Sequence, residues 1–550
     1  MKLKALKPRL HNIMFHTHTV SGIVISFVLF IIFYAGAYAL FMDELSQWEN
    51  PNARIDYVDA GDFDYDKALT IIHEKVPNLD FTKNIGITTP TASNPLPTFN
   101  GFKTLENGES KRFYAHINPN TYEIDMFDHA KTHMAQTIYE LHFFNQIPFG
   151  IYIAGLAGFF FIFAIFTGLL THWKNIVNKF YAFTTKGKWK QIWTNGHISL
   201  GLITLPFQMI YAVTGALLGL SILLLIPTAF LAYNGDTNAV LAAVRPDAVM
   251  KYDVAAKDVE SQIGFNNIYT TVHEEYPAHP VTYMYSTNFG KEDGTIGVRV
   301  DDHKGISGDG TFIYSYKDGS LLSATKPDTA KYSESTLGIL IKLHYATYGG
   351  IFLKIIYFIL AMITCYIISS GVMIWRTARD NKKYTDKQRR FHHKVTKTYL
   401  AITLSMFPAV GLIFIANKLV PLELTNRIFY VNTTFFVGWL LLTIVGLFWN
   451  NYRVLNRNYI IIGSVLALLI PVTNGVVTGD WIWNSLVNQQ LYVFSVDLTW
   501  LIIGVAGILI VKYYLKASTS KNVKQKITVS KPKLLTHEEP VLQSTLKKSN

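Results

Sequence analysis

The strongest constraint on the fold of this chain is a series of long segments without a charged side chain. A water-soluble domain cannot bury so many of them, and half of all residues are hydrophobic. Most of these segments approach or exceed the roughly 20 residues that a helix needs to cross a bilayer. The sequence therefore predicts an all-α polytopic membrane core of about eight transmembrane helices, at residues 19–42, 146–173, 196–226, 344–375, 398–417, 428–449, 459–477 and 491–511.

Lysine and arginine are distributed unevenly between the connecting segments, and they normally collect on the cytoplasmic side of a membrane. The basic segments are residues 1–18, 174–195, 376–397 and 512–550. The facing short loops carry only Lys418 and Arg427. We therefore expect both termini in the cytoplasm and two longer modules, 43–145 and 227–343, outside. This asymmetry accounts for the net charge of +12, and no nucleic-acid-binding pattern accompanies it.

An alternative for the first helix is a cleavable signal sequence, because Ala37-Tyr38-Ala39 resembles a cleavage site. Its apolar core is longer than that of a signal peptide. We therefore interpret residues 19–42 as a transmembrane helix.

The two outer modules show the same order of predicted elements. The first has a helix at 64–76 and a hairpin at 112–125. The second has a helix at 254–276, followed by strands at 281–287 and 294–301 and a hairpin at 310–324. A module followed by a pair of helices therefore occurs twice, which indicates an internal duplication.

Histidine and glycine repeat at equal intervals in the helices of the two copies. His18 and His197 are each followed by a glycine four residues later and another eighteen residues later, namely Gly22, Gly36, Gly201 and Gly215. Eighteen residues are about five helical turns, so these residues share one face. Bare backbone beside a histidine is what a flat macrocycle needs to lie against a helix. The farther glycines, Gly36 and Gly215, predict room for a second macrocycle.

A second matched pair lies at the other ends of the predicted helices. His142 and His344 each follow a leucine and each precede a tryptophan, Trp173 or Trp375, by 31 residues. Four histidines from duplicated helices predict two bis-imidazole sites, His18 with His197 and His142 with His344. Haem iron suits two imidazoles, whereas zinc prefers three or four protein ligands. Because Cys365 is the only cysteine, haem cannot be attached covalently, and we predict two b-type haems.

Other polar residues allow alternative interpretations. A histidine at a membrane boundary often serves only as an interfacial residue, and His16, His172 and His393 are reserve ligands. His393 precedes Gly411 by eighteen residues but lacks the nearer glycine, so the last four spans look like an appended unit. His129 and His133 fit a solvated helix better than a metal site. Lys354 and Asp497 lie near helix ends, where mutual pairing or snorkelling is the simplest expectation.

These motifs, with Thr167-Gly168 and Ser370-Gly371 before the terminal tryptophans, resemble the PepSY-associated transmembrane family over roughly residues 10–380. That family includes bacterial inner-membrane ferric-siderophore reductases. The resemblance implies a four-helix di-haem core, two periplasmic α+β PepSY-like modules and location in the bacterial inner membrane. It also implies electron transfer outward to a ferric siderophore or another Fe(III) chelate.

The electron donor is not encoded by a recognisable motif, since no nucleotide-binding glycine pattern or phosphate loop occurs. Quinol or a separate cytoplasmic reductase is expected to supply electrons. Two other functions compete with ferric reduction. One is a siderophore or metal transporter that couples through Lys354 and Asp497. The other is a regulatory membrane protein, because PepSY modules are also associated with restraining peptidases.

Overall fold

The structure is a computed structural model that describes residues 6–92, 94–126, 133–244, 249–260, 263–301, 305–307, 309–329, 332–449 and 451–515. His129 and most of the basic tail lie outside these residues. The helices are α1 (Pro8–Ala39), α2 (Met42–Glu49), α3 (Tyr65–Lys75), α4 (Met134–His142), α5 (Gly150–Thr171), α6 (Ile176–Phe180), α7 (Trp189–Ile203), α8 (Leu205–Gly219), α9 (Ser221–Ala232), α10 (Thr237–Val244), α11 (Phe265–Glu275), α12 (Tyr332–Tyr345), α13 (Gly350–Arg379), α14 (Asp386–Leu404), α15 (Met406–Leu419), α16 (Arg427–Phe448), α17 (Tyr452–Thr478), α18 (Ile482–Val487) and α19 (Leu491–Ile510). The strands are β1 (Ile85–Thr88), β2 (Thr98–Thr104), β3 (Ser110–Ile117), β4 (Ile124–Met126), β5 (Val281–Thr287), β6 (Thr295–Val300), β7 (Gly310–Ser315) and β8 (Leu321–Thr325).

Within the described residues, seven helices are long and apolar enough to cross a membrane, and a bent helix pair raises the number to eight. This agrees with the expected number of spans. The chain is a multi-pass membrane protein. The first copy of the duplicated unit contributes α1, α4 and α5, and the second contributes α7, α8, α12 and α13. These helices pack together, with α1 against α5 and α13, and α5 against α8.

The third predicted span is not one continuous helix. Helices α7 and α8 meet at an angle of 72°. Thr204 separates them, and Pro206 stands in the first turn of α8. Proline has no N–H to continue the hydrogen-bond ladder and its ring clashes with the preceding turn, which explains the break.

The basic segment 376–397 is mostly helical rather than a loop. Helix α13 extends to Arg379, and α14 begins at Asp386. Thr385 and Gln388 form a capping box in which each side chain bonds the backbone N–H of the other residue. This cap starts the helix well before the apolar run that predicted the span.

The two modules form one antiparallel sheet of eight strands, in the order β4-β3-β2-β1-β5-β6-β7-β8. The sequence predicts strands within each module but not that the two modules share one sheet. Strands β1 and β5 pair directly, with Gly86 opposite Tyr285 and Ile87 opposite Met284. Each module alone would leave this edge unpaired, so joining the modules removes an exposed edge from both.

The module helices α3 and α11 cap each other at the centre of this sheet. The Asp66 carboxylate accepts hydrogen bonds from the backbone N–H groups of Phe265 and Asn266, at 2.7 and 3.1 Å. In return, the Asn266 side-chain oxygen accepts from the N–H of Tyr65 at 2.9 Å. This cap explains why the helix predicted at 254–276 begins only at Phe265.

Helix α2 links the duplicated unit to the appended helices α14–α19. Trp48 is fully buried, and its indole N–H donates to Asp497 at 2.8 Å. Lys354 forms an ion pair with Glu44 at 3.3 Å. The sequence suggests mutual pairing of Lys354 and Asp497, but they do not pair with each other. Both instead find partners on α2, a short helix that local patterns do not associate with either residue.

Candidate haem-binding site

His18 and His197 face each other inside the bundle, one from each copy. Their ring centres are 6.1 Å apart and their planes are inclined by 72°. An imidazole nitrogen lies about 2 Å from a bound first-row metal ion, and the ring centre lies about 1 Å farther. Two rings that share one ion therefore need centres separated by about 6 Å. The predicted pair has this separation.

His142 and His344 form the second facing pair, at the end of the bundle where the modules join it. Their ring centres are 5.8 Å apart, at an angle of 47°. His142 is the last residue of α4. His344 is the penultimate residue of α12, and Ala346 in the left-handed conformation, φ +55°, separates α12 from α13. Both histidines thus lie on short helices that precede a span. The sequence places His142 ahead of the span 146–173, whereas it predicts His344 as the first residue of the span 344–375, and His344 lies just before that span.

Three of the four histidines bond a backbone carbonyl through Nδ1. His18 bonds the Ala164 carbonyl at 2.8 Å, His197 the Ile367 carbonyl at 2.9 Å, and His142 the Ile32 carbonyl at 2.7 Å. A carbonyl oxygen only accepts, so Nδ1 must carry the proton in each case. The Nε2 lone pair of each neutral ring is then available as a ligand.

His344 reaches the same state through a hydroxyl group. Its Nδ1 lies 2.9 Å from the Thr214 hydroxyl, which also lies 2.7 Å from the Ile210 carbonyl. When the Thr214 hydroxyl donates to the Ile210 carbonyl, its oxygen accepts from Nδ1 of His344. In that arrangement all four histidines share one tautomer, with Nε2 free of its proton.

Each histidine ring packs against a glycine of a neighbouring helix. The pairs are His18 with Gly168, His197 with Gly371, His142 with Gly36, and His344 with Gly215. A Cβ atom at Gly36 would lie 2.5 Å from His142, and one at Gly168 would lie 2.9 Å from His18. Gly36 and Gly215, where the sequence predicts room for a second macrocycle, thus lie beside histidine rings and also line the smaller cavity next to His142 and His344.

His18 and His197 line a cavity of about 450 Å³, which we call the distal cavity. This volume lies within the range of small-molecule and cofactor sites. Gly22 and Gly201 also line it, and a Cβ atom at either position would meet nothing within 4 Å. Both nearer glycines of the sequence pattern are thus open to the cavity, as predicted for backbone beside a flat ligand.

The reserve ligands differ in their positions. His16 and His172 line the distal cavity together with His18 and His197. Arg379 lines the same cavity, and its described lining includes no carboxylate. His393 does not line the cavity. Its Nδ1 is bonded to the Tyr452 hydroxyl at 2.6 Å.

His142 and His344 line a smaller cavity of about 190 Å³, the sheet-side cavity. Tyrosines crowd this space: the Tyr211 ring centre is 5.1 Å from that of His344, and the hydroxyls of Tyr139 and Tyr345 are 2.7 Å apart. Leu29 and Phe161 line both cavities, so only these apolar side chains separate the two spaces at that point.

The donor set suits a ligand held from two sides. No group of three or more His, Cys, Asp or Glu side chains that could hold a metal ion occurs among the described residues. Cys365 is buried in α13, and its sulfur lies 3.9 Å from the Phe30 carbonyl. His133, considered as a metal ligand with His129, bonds the Thr137 hydroxyl at 3.2 Å. Paired imidazoles beside an apolar cavity can therefore supply the axial ligands of a metal macrocycle.

Glu49 supports the helix that ends at His142. Its carboxylate accepts from the backbone N–H groups of Met134 and Ala135, at 2.6 and 3.3 Å, and thus caps α4. The Asn417 amide donates to it at 3.2 Å. Burial raises the pKa of Glu49 to about 7, although these hydrogen bonds and the charges of Lys418 and Arg427 act in the opposite direction. No local sequence pattern predicts these contacts of Glu49, because its partners are far apart in the chain.

Comparison with protein families gives one match. The family model described as a PepSY-associated TM region matches residues 15–378, which is more than half of the chain. The match includes all four facing histidines and both modules. No curated protein matches the chain.

Proposed function

Because the chain belongs to the PepSY-associated transmembrane family, we propose that it is a membrane electron-transfer protein that binds two b-type haems and reduces ferric chelates. The observation that carries this proposal is the double pair of facing histidines, each with Nδ1 engaged and Nε2 available. Two such pairs at opposite ends of one bundle suit electron transfer across a membrane better than a single metal site would.

The paired imidazoles fit haem in chemistry at both sites, and the distal cavity of about 450 Å³ also suits it in volume. His18 and His197 would hold one haem there, and His142 and His344 would hold the other beside the smaller sheet-side cavity of about 190 Å³. When bound, each haem iron would supply a one-electron carrier whose potential depends on its axial ligands and surroundings. The hydrogen bonds at Nδ1 fix the orientation of each imidazole and increase its basicity.

The chain itself would insulate and shorten the electron path. Leu29 and Phe161 form a common wall of the two cavities, and Phe33 packs on Phe161 with ring centres 5.6 Å apart. Apolar side chains exclude water from this wall. Two stepping sites replace one long transfer across the insulating core of the bilayer.

The substrate of the proposed reaction is an Fe(III) chelate, such as a ferric siderophore, in the periplasm. The basic segments favour an arrangement in which the modules face outward from the bacterial inner membrane. Each ferric ion would accept one electron and leave the chelator as Fe(II), because the softer ion binds hard oxygen ligands less tightly. Quinol or a cytoplasmic reductase would supply the electrons.

The transporter alternative gains no support from Lys354 and Asp497. Lys354 pairs with Glu44, and Asp497 accepts from Trp48 and from Asn474 at 2.9 Å. Both side chains thus contribute to packing between helices, which favours a structural role over coupling to transport.

The test begins with the colour of the purified protein. A Soret band and about two haems per chain in a pyridine haemochrome assay are expected. Dithionite-reduced protein in nanodiscs should then be reoxidised by a ferric siderophore, with Fe(II) appearing in a ferrozine trap at the same rate. A colourless protein, or one haem per chain, would overturn the di-haem proposal. Reoxidation by quinones but by no ferric chelate would overturn the proposed substrate.

A further inference from the structure

The distal cavity contains a cation that the histidine pair does not explain. Arg379 is the one permanently charged side chain in the described lining of this cavity, and it is half-buried. Its guanidinium donates to the Trp375 carbonyl at 3.2 Å and lies 4.6 Å from the centre of the Trp375 ring. No ion pair of Arg379 occurs among the described residues. Because a guanidinium has five N–H donors, most of them remain available to a ligand.

The acidic residues at this end of the bundle pair with other arginines. The three basic segments that precede residue 398 contain only two acidic residues, Asp380 and Asp386. Asp380 pairs with Arg376 at 3.2 Å, and Asp386 pairs with Arg389. An anionic group bound in the distal cavity would give Arg379 the counter-ion that these segments do not supply.

Arg379 lies beyond the histidine pair, on the side away from the sheet-side cavity. Helix α13 begins a few residues after His344 and runs to the distal end of the bundle, where Gly371 packs against the His197 ring. Arg379 follows Gly371 by about two helical turns, and its side chain folds back to Trp375, about one turn after Gly371. The guanidinium therefore lies roughly 6 Å along the helix from the level of the His197 ring, at about 1.5 Å per residue.

The opposite end of the distal cavity is hydrocarbon. Leu29 and Phe161 form the wall that it shares with the sheet-side cavity. A ligand held between His18 and His197 would thus meet a cation at one edge and apolar side chains at the other. A b-type haem has the same asymmetry, since its carboxylate groups lie at one edge of an otherwise apolar ring. Arginine forms paired, charge-assisted hydrogen bonds with carboxylates.

We propose that Arg379 binds a carboxylate group of the distal haem and thereby fixes the orientation of its ring. The carboxylate edge would face the basic segments, and the apolar edge would face Leu29 and Phe161, toward the second cavity. This assignment rests on the proposed haem binding and adds the residue that distinguishes one edge of the ring from the other.

The Arg379 charge would also act on the haem iron. Ferric haem carries one more positive charge than ferrous haem, so a cation that neutralises a nearby carboxylate disfavours the ferric state. Charges and hydrogen bonds around a cofactor tune its electronic properties. Arg379 should therefore raise the reduction potential of the distal haem, and removal of its charge should lower that potential.

Haem and its dimethyl ester together test the carboxylate contact, because the ester has the same ring and iron but no anionic edge. Full-length, haem-free His344→Ala protein in nanodiscs is titrated with each compound, so that only the distal site is measured. We expect haem to bind about tenfold more tightly than the ester, and Arg379→Gln to abolish this preference by weakening haem binding alone. Arg379→Lys should retain part of the preference, since lysine keeps the charge but not the paired donors.

Arg376→Gln is the matched control, because Arg376 lies on the same helix, pairs with Asp380 and does not line the distal cavity. The control should keep the preference for haem and the distal reduction potential, whereas Arg379→Gln should lower that potential in a redox titration. An unchanged preference in Arg379→Gln, or an equal loss in Arg376→Gln, would overturn the assignment and leave the di-haem proposal standing. A His344→Ala protein that binds neither haem nor the ester would overturn the distal haem site and this assignment with it.

Discussion

The distal cavity and the sheet-side cavity each take one histidine from either copy of the duplicated unit, yet one encloses about 450 Å³ and the other about 190 Å³. The distal cavity adds His16, His172 and Arg379 to its histidine pair. The sheet-side cavity is instead lined by tyrosines. The duplication relates the two histidines within each cavity, so the two cavities are not copies of each other and differ in their surroundings. Both cavities share the geometry of their paired histidines. Because their surroundings differ, two haems bound in one chain can have different reduction potentials.

The largest expected effect comes from removing a ligand at either cavity. His197→Ala or His344→Ala should each eliminate one haem and leave about half of the Soret absorbance, because a cavity with one imidazole loses half of its axial ligation. The pyridine haemochrome assay measures the remainder. His393→Ala is the control and should retain both haems, since its ring is bonded to Tyr452. Two haems retained in the His18→Ala protein would point to His16 or His172 as the distal ligand.

The hydrogen bonds behind the ligands should distinguish the cavities at a smaller scale. His344 has Thr214 as its Nδ1 acceptor, whereas His197 lies near both the Ile367 carbonyl and the Ser370 hydroxyl. Thr214→Val should lower haem affinity at the sheet-side cavity about 10- to 100-fold. Ser370→Ala should change the distal haem much less, because the carbonyl remains. Haem transfer to apomyoglobin gives both affinities, and equal losses would show that the Ile367 carbonyl does not compensate for the lost Ser370 hydroxyl.

Glycine substitutions should separate packing from haem access. Gly36→Ala places a methyl group against the His142 ring and should destabilise even haem-free protein, by about 1–3 kcal/mol. Gly22→Ala places a methyl group in the open distal cavity and should stabilise the haem-free helix slightly while lowering distal haem occupancy. Thermal unfolding and haem content of both variants provide the test. Unchanged haem content in Gly22→Ala would place the macrocycle away from this part of α1.

The last expected difference between the two ends is a pH dependence of stability at the sheet end. Burial raises the pKa of Glu49 to about 7 from its ordinary 4.5. Between these two pKa values, the folded state therefore holds a proton on Glu49 that the unfolded state releases. The contribution of the protonated Glu49 to stability is complete below pH 4.5 and is lost as pH rises through 7. Between these values, stability should fall by at most about 1.4 kcal/mol per pH unit. Glu49→Gln should reduce the slope of unfolding temperature against pH, and an unchanged slope would assign it to other groups.

Much of the membrane core could be predicted from sequence because its signals are local. Long apolar runs gave the number of spans, and repeated histidine–glycine intervals selected two histidine pairs that the structure brings together. The hydrogen bond from His197 reaches a carbonyl 170 residues away, and no periodic pattern reports such a partner. The pairing of β1 with β5 escaped for the same reason. The partners of Lys354 and Asp497 lie on α2, whose eight residues are too short to show a clear pattern.

The order of the sheet, β4-β3-β2-β1-β5-β6-β7-β8, reads the same from either module outward. Strands β1 and β5 meet at its centre as equivalent neighbours, and every histidine pair crosses between the same two copies. A polypeptide with only one copy would expose the edge of β1 and hold one imidazole for each cavity. It could complete the sheet and both histidine pairs only by associating with an identical subunit about a twofold axis. Up to α13, the present chain thus holds in one polypeptide the arrangement that a single copy would reach only as a homodimer.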